Sequence, residues 1–334
     1  VLLVSWIEIG IFALMKIFKN DSTDPHYNMA LDEWMLACMD CEEPVLRIWR
    51  NSPSVIVGAN QNVFSEVNLD YLDKAGIVLA RRGTGGGAVY HDLQNVNYSF
   101  AGPVSVIGDG TSCVETIAAA IRQLGAPCEV SGRNDLTVEG RKVSGFARRN
   151  QRNRVLVHGT LMYDVDFEAL TLALSVPGSK LEAKGISSVR SRVANLSGWI
   201  PGGVDLFMDS LVRIMSDPGG EVLTLSREDE AVVSGICGQR YASWEWIYGR
   251  SREADFVREA VLPCGKVSAR LKIDGGVIVS CMFEGDFLGL RPSAELSGRL
   301  RGLKYSSETI LPVLHDVPDF FQNTGAEDLL HLLI

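Results

Sequence analysis

The run Arg81-Arg82-Gly83-Thr84-Gly85-Gly86-Gly87-Ala88-Val89-Tyr90-His91-Asp92 sets two guanidinium groups beside three successive glycines. Guanidinium suits a carboxylate or a phosphate. Glycines lack a Cβ, so they leave main-chain N–H groups bare and let a ligand approach the backbone closely. Val89 and Tyr90 resume strand character and offer main-chain groups to a flat ring. No Gly-Lys-Ser/Thr follows and the spacing is not Gly-x-Gly-x-x-Gly, which excludes a Walker A loop and a dinucleotide fingerprint. Taken alone, the run also reads as a flexible hairpin loop flanked by solvated arginines.

A second segment, Gly132-Arg133-Asn134-Asp135-Leu136 followed by Gly140-Arg141-Lys142-Val143-Ser144-Gly145, adds a lysine just past a tight turn, between small residues. An ammonium held there can act as a point charge on a phosphate or an acyl oxygen. Asp135 can ligate a magnesium ion bridging phosphates. The plain alternative for Lys142 is a solvated edge-strand lysine. His158-Gly159-Thr160-Leu161 follows on the next strand, where a lone histidine is more often structural than catalytic. Cys38 and Cys41 form a C-x-x-C, but a structural zinc wants a second pair at similar spacing and none exists.

These groups need elements to hold them. Asp24-Pro25 reads as an N-cap with proline at the first helical position. The helix that follows is expected to bury Leu31, Trp34, Met35 and Cys38 on one face. Apolar runs at Pro44–Trp49, Ser54–Ala59, Ile77–Ala80 and Asn95–Phe100 read as strands, the last half-buried because Val96, Tyr98 and Phe100 alternate. Ser112 and Glu115 fit a capping box for a helix that Gly125 closes. Asp135–Val138 and Arg141–Ala147 flank a Glu139-Gly140 turn, and Val155–Tyr163 continues the strand series. Helical stretches follow around Phe167–Ser175, Val204–Ile214 and Arg227–Gln239. The fold class is therefore α/β (α+β), with hairpins rather than regular βαβ alternation. From about Trp244 a second unit begins: a Lys266–Ile273 and Val277–Phe283 hairpin around Asp274-Gly275-Gly276, then helices at Ala294–Leu303, Ser307–Leu314 and Glu327–Leu333.

The chain has 334 residues, 46% hydrophobic and 22% charged, with a formal net charge of −9. That balance argues against a general nucleic-acid binder, which is normally basic. An odd count of seven scattered cysteines is no disulfide framework and suits a reducing cytoplasm. Residues 1–14 are apolar, contain Glu8, and are too short to span a bilayer. They are expected to be an extension outside the functional fold, with Met15 as the natural start, and no membrane association is expected.

Five ordered blocks resemble the lipoate-protein ligase A family: Ser22–Glu33, Arg81–Phe100, Gly132–Gly145, His158–Leu161, and Lys184-Gly185-Ile186 with Ser188–Val193. The similarity covers the chain from Met15 onward. It implies a biotin/lipoate-ligase catalytic domain at 15–243 (core motif region about 41–225), related to class II aminoacyl-tRNA synthetase cores, and a small α/β accessory domain at 244–334. It further implies ATP-dependent activation of lipoate to lipoyl-AMP, then transfer to a lysine of a lipoyl domain, in 2-oxoacid dehydrogenases or the glycine-cleavage H protein. By motif, Arg82 and the Gly87-Ala88-Val89-Tyr90 backbone hold the nucleotide. Lys142 bridges the α-phosphate and the lipoyl carboxylate. Thr84, Gly85 and Gly86 contact lipoate, Trp49, His91 and His158 line the acyl pocket, and Asp135 takes Mg2+. A monomer whose C-terminal domain rotates after adenylation is expected. Gln94 stands where the family usually has glycine, and Thr84 where it commonly has serine.

Three other readings compete. Octanoyltransferases share the Gly-rich and G-R-K-V-S-G blocks but use a cysteine nucleophile and no ATP, and Cys128 lies near where theirs stands. Gly132-Arg133-Asn134-Asp135 and the C-terminal unit resemble the ligase version instead, and Cys128 begins an apolar strand where a buried thiol is ordinary. A biotin ligase would interleave arginine with glycine in the loop. A non-catalytic binder would be free to lose Arg82, Lys142 and Asp135.

Overall fold

The computed structural model describes residues 15–39, 42–132, 135–174, 191–216, 221–251, 254–285 and 287–334. The expectation for residues 1–14, the pairing of Cys38 with Cys41, Arg133-Asn134 and the Lys184–Arg190 block lie outside them.

In chain order the strands are β1 (Lys16–Phe18), β2 (Val45–Trp49), β3 (Ser54–Val57), β4 (Val78–Arg81), β5 (Val89–His91), β6 (Asn95–Pro103), β7 (Cys128–Ser131), β8 (Asp135–Val138), β9 (Arg141–Gln151), β10 (Arg154–Met162) and β11 (Val222–Leu223), then β12 (Ala254–Leu262), β13 (Gly265–Asp274) and β14 (Val277–Gly285). Among the described residues they make an eight-stranded sheet ordered β11-β1-β2-β6-β10-β9-β8-β7, and two three-stranded sheets, β4-β3-β5 and β12-β13-β14. The β2-β6-β10-β9-β8-β7 stretch is antiparallel throughout, as hairpins require. The mixed α/β class is as expected.

Helices cover the large sheet on both faces. Helix α1 (Pro25–Ala37) packs on one. Helices α2 (Thr111–Gln123) and α3 (Val204–Met215) bury Ile117, Ile121, Phe207 and Leu211 against Val96, Tyr98, Phe100 and Val157 on the other. β6 is therefore buried at all nine residues, not half-buried. Its polar positions Asn95, Asn97 and Ser99 face the α1 side, where a hydrogen-bonded network replaces solvent.

Two further expectations fail locally. Cys38 is exposed, because α1 ends at Ala37 and Cys38 is its C-cap, outside the buried face that Trp34, Met35 and Leu36 form. The Ser112/Glu115 capping box does not form: the helix starts at Thr111 after Gly110, and the Asp109 carboxylate accepts from the Thr111 N–H instead. The unforeseen strand β12 pairs with β13 along its length, and α4 (Ser293–Leu300) and α5 (Ala326–Leu333) pack on this small sheet.

Candidate active site

Helix α1 is capped as its sequence predicts, the Asp24 carboxylate accepting from the His26 and Tyr27 N–H groups with Pro25 at the first position. That seats two adjacent carboxylates, Asp32 and Glu33, over the sheet. Asp32 is 2% exposed. It accepts from His158 Nδ1 at 2.8 Å, from the Ser99 hydroxyl at 2.8 Å and from Arg47 at 3.4 Å. Burial lowers the Arg47 pKa to about 10, with Asp32 the leading opposing charge. A carboxylate on Nδ1 fixes the proton there, so His158 Nε2 accepts from the Thr84 hydroxyl at 2.8 Å. The Thr84 oxygen in turn accepts from Arg82 Nε at 3.1 Å. A continuous chain thus ties α1 to the glycine-rich loop.

The two arginines do structural work in that loop. Arg82 is 7% exposed and donates to the carbonyls of Ile56, Gly85 and Gly87. Arg81 donates to the carbonyls of Gly58, Gln61 and Ile247. Burial lowers both to about 10, and they remain charged at neutral pH. Gly86 has φ +98°, a region that favours glycine, and a Cβ on Gly58 would stand 2.1 Å from the Gly86 carbonyl oxygen. Gly85, Gly86 and Gly87 are exposed, and nothing lies within 4 Å of a Cβ built on Gly85 or Gly87. The loop is a scaffolded, open edge.

Lys142 reaches the same side of the sheet through a β-bulge. Asp135 pairs with Gly145 and Leu136 with Ser144, but Thr137 pairs with Lys142, leaving Val143 as the extra residue. Without it, Lys142 and Gly145 would point to opposite faces. With it, the ammonium lies over Gly145, where a Cβ would stand 3.1 Å from Nζ, and 2.7 Å from the Asp135 carboxylate. Val143 itself is buried among the α2-side residues.

From Gly145 the same face continues through Ala147, which is opposite His158, to Arg149, which is opposite Leu156. Four residues of strand span about 14 Å. At the far end Met29, Asp32, Glu33, Gly83, Thr84, Arg149, Leu156, His158 and Tyr241 surround a pocket. Its free space is about 10 Å³, room for no more than one water. Beside the Lys142 backbone, whose carbonyl accepts from the Ala194 N–H at 2.9 Å, lies a cleft of about 560 Å³ lined by Arg141, Phe167, Val193, Ala194, Asn195 and Trp199. Phe167 belongs to the Phe167–Ala173 helix, which packs on β5.

The structure brings Thr84 and His158 together with Gly83 around the pocket, leaves Gly85, Gly86 and Gly87 on the exposed loop outside its lining, and sets Lys142 with Asp135 at the other end of the strand face. Trp49 and His91 sit behind this surface. Trp49 is 3% exposed, with Nε1 donating to the Ser99 hydroxyl at 2.9 Å. His91 Nδ1 accepts from Asn51 at 3.0 Å, and its buried Nε2 finds no partner among the described residues. Tyr90 is buried too, and desolvation raises its phenol pKa. Cys128 is 1% exposed among the α2-side residues, its thiol pushed up to about 11 by burial, which suits core packing and not nucleophilic attack. Residue-by-residue reading missed Asp32, Glu33, Arg149 and Tyr241. Two adjacent acids in a largely apolar helix were a usable signal for the first pair; Tyr241 had none. No group of three or more His, Cys, Asp or Glu among the described residues forms a metal cluster.

The site thus combines a broad sheet, a strand face with a lysine at one end and a small pocket at the other, and an open glycine loop, a set of groups that suits a carboxylic acid. The Lipoyl protein ligase A/B catalytic domain family matches residues 24–217, and the bacterial lipoate protein ligase C-terminus family residues 251–333. A lipoate-protein ligase of Bacillus subtilis is 36% identical, covering 96% of this chain and 100% of that one. Among solved structures, the bi-partite lipoate protein ligase of Thermoplasma acidophilum, studied with its E2 lipoyl domain, has a TM-score of 0.65 at 30% identity, covering 72% of this chain and 98% of that one. A lipoate-protein ligase A bound with ATP has a TM-score of 0.61 at 28% identity, covering 71% and 99%. The chain belongs to the lipoate-protein ligase family.

Proposed function

We infer that the chain activates lipoate with ATP, forming lipoyl-AMP, and transfers the lipoyl group to a lysine of lipoyl-domain proteins. The observation that carries this is the single strand face running from Lys142 over Gly145 and Ala147 to the pocket at His158 and Arg149. A medium-chain acid laid on it presents its carboxylate to Lys142 and its tail to the pocket.

In the first half-reaction a lipoate carboxylate oxygen attacks the α-phosphorus of ATP; an O–P bond forms and pyrophosphate leaves. No base is needed, only positioning and neutralised charge. Lys142 bridges the carboxylate and the α-phosphate. The nucleotide lies against the backbone of Gly87, Ala88, Val89 and Tyr90, and Arg82 acts on it through the loop it shapes. Mg2+ would enter with the nucleotide; one carboxylate plus phosphate oxygens suffices for it, and half-exposed Asp135 can supply that carboxylate. In the second half-reaction a neutral lysine amine attacks the acyl carbonyl, the amide C–N bond forms, and AMP leaves while Lys142 faces the developing oxyanion. Thr84, Gly85, Gly86 and His158 border the lipoyl chain, and Trp49 and His91 back it.

The T. acidophilum relative's E2 lipoyl domain supports a 2-oxoacid dehydrogenase acceptor, and the glycine-cleavage H protein offers the same chemistry. No helix among the described residues is long and apolar enough to cross a membrane. The free thiols described suit a cytoplasmic setting. The test is mass spectrometry of a lipoyl domain after incubation with the enzyme. Modification of its lysine should require both ATP and lipoate. Modification from an octanoyl carrier protein without ATP would contradict the inference.

A further inference from the structure

Between the two matched family regions lies a connecting segment that neither covers, residues 218–250. Its helix Arg227–Ile236 packs on α1 and ends in a π-helical turn, Cys237–Tyr241. Such turns often re-aim a side chain at a functional site. Here the turn delivers Tyr241 into the pocket wall, 2% exposed, where Leu156 and Met29 also line it.

A hydrogen bond and a ring contact hold it. The Tyr241 hydroxyl donates to Glu33 at 2.5 Å, and Arg149 and Arg240 donate to the same carboxylate at 3.0 and 2.6 Å. The ring stands edge-on to Trp246, centroids 5.6 Å apart, and Trp246 Nε1 donates to the Arg81 carbonyl at 2.8 Å. Gly83 leaves space for it: a Cβ there would lie 3.0 Å from the Tyr241 hydroxyl and 2.6 Å from Arg149. The ring is thus clamped between α1, the glycine loop and the connecting segment.

We propose that Tyr241 is the specificity-determining end wall of the acyl pocket, limiting the length of the acid that the enzyme activates. This rests on the ligase reading above. The strand track is about 14 Å long from Gly145 to Arg149, and Tyr241 closes its far end. Shortening this side chain opens the track toward Trp246, while removing only its hydroxyl leaves the ring in place.

The experiment measures acid-dependent exchange of labelled pyrophosphate into ATP with lipoate, octanoate, decanoate and dodecanoate. The full chain is compared with Tyr241→Ala, Tyr241→Leu and Tyr241→Phe. Because shortening Tyr241 removes the ring that closes the pocket, Tyr241→Ala and Tyr241→Leu should raise the dodecanoate-to-lipoate ratio of kcat/KM by about tenfold, the scale on which one methylene is discriminated, with KM for ATP unchanged. Tyr241→Phe should keep the native length limit. Tyr241→Leu keeps an apolar side chain in the wall and decides the matter if Tyr241→Ala does not fold. Unchanged ratios in an active shortened variant overturn the proposal. Loss of lipoate-dependent exchange in the native chain would instead overturn the ligase reading.

Discussion

Lys142 and Gly145 share one face of β9 because the extra residue at Val143 reverses the alternation between them, and the ammonium rests over the glycine. Gly145→Ala would place a methyl 3.1 Å from Nζ and 3.2 Å from Cε. The lysine is flexible enough to move, so the fold should survive while the charge is displaced. A displacement near 1 Å is expected to lower the adenylation rate by about 10- to 100-fold, with the melting temperature unchanged. Single-turnover kinetics beside a thermal melt check this; a native rate would mean that ammonium placement is unimportant.

Asp32 holds together buried groups from three elements. Asp32→Ala would strand the fully buried Arg47 without its carboxylate and release His158 from its tautomer. Uncovering a buried charge in this way costs about 3–5 kcal/mol. Urea unfolding should show that loss. A midpoint within error of the native chain would contradict the network's structural role.

Cys128→Ala should leave ligase activity intact and cost about 1 kcal/mol, a methyl-sized core deletion. With its thiol at about 11, the native residue should resist iodoacetamide at neutral pH while exposed Cys38 reacts. Activity lost in this variant without unfolding would restore the cysteine mechanism.

Acid should destabilise the protein partly through His91, whose pKa is lowered to about 3 by burial first, then by the neighbouring Arg82 and His158. The unfolded histidine protonates near the ordinary value of about 6.5. Between about 6.5 and 3 the unfolded chain binds the extra proton, so stability is retained above that window and lost as pH falls through it. His91→Gln should therefore shrink the drop in urea midpoint between about pH 7 and pH 5. An equal drop in both proteins would exclude His91 as the source.

Much of the site was legible in local sequence. Glu139-Gly140 forms the turn its residues favour, with φ of 51° and 75°, and Thr84 and His158, from separate blocks, do meet in the pocket wall. What stayed hidden is non-local. A one-residue bulge at Val143 has no local signature, yet it decides which face Lys142 joins. Arg82 reads as a ligand group because its type fits phosphate, but the loop's carbonyls take its donors once folded. β6 read as half-buried because Asn97 and Ser99 are polar; Ser99, for one, is satisfied by Trp49 and Asp32 rather than by water. Tyr241 meets Glu33 across most of the chain's length, which no periodicity can foretell.

The central claim is that Lys142 activates a carboxylate on ATP. Lipoate-dependent exchange of labelled pyrophosphate into ATP, native chain against Lys142→Ala, tests it most directly. The account predicts exchange that requires lipoate and falls by about 10²- to 10³-fold in the variant, the scale of one lost charge-stabilising group. Exchange that persists undiminished in a folded Lys142→Ala variant would contradict it.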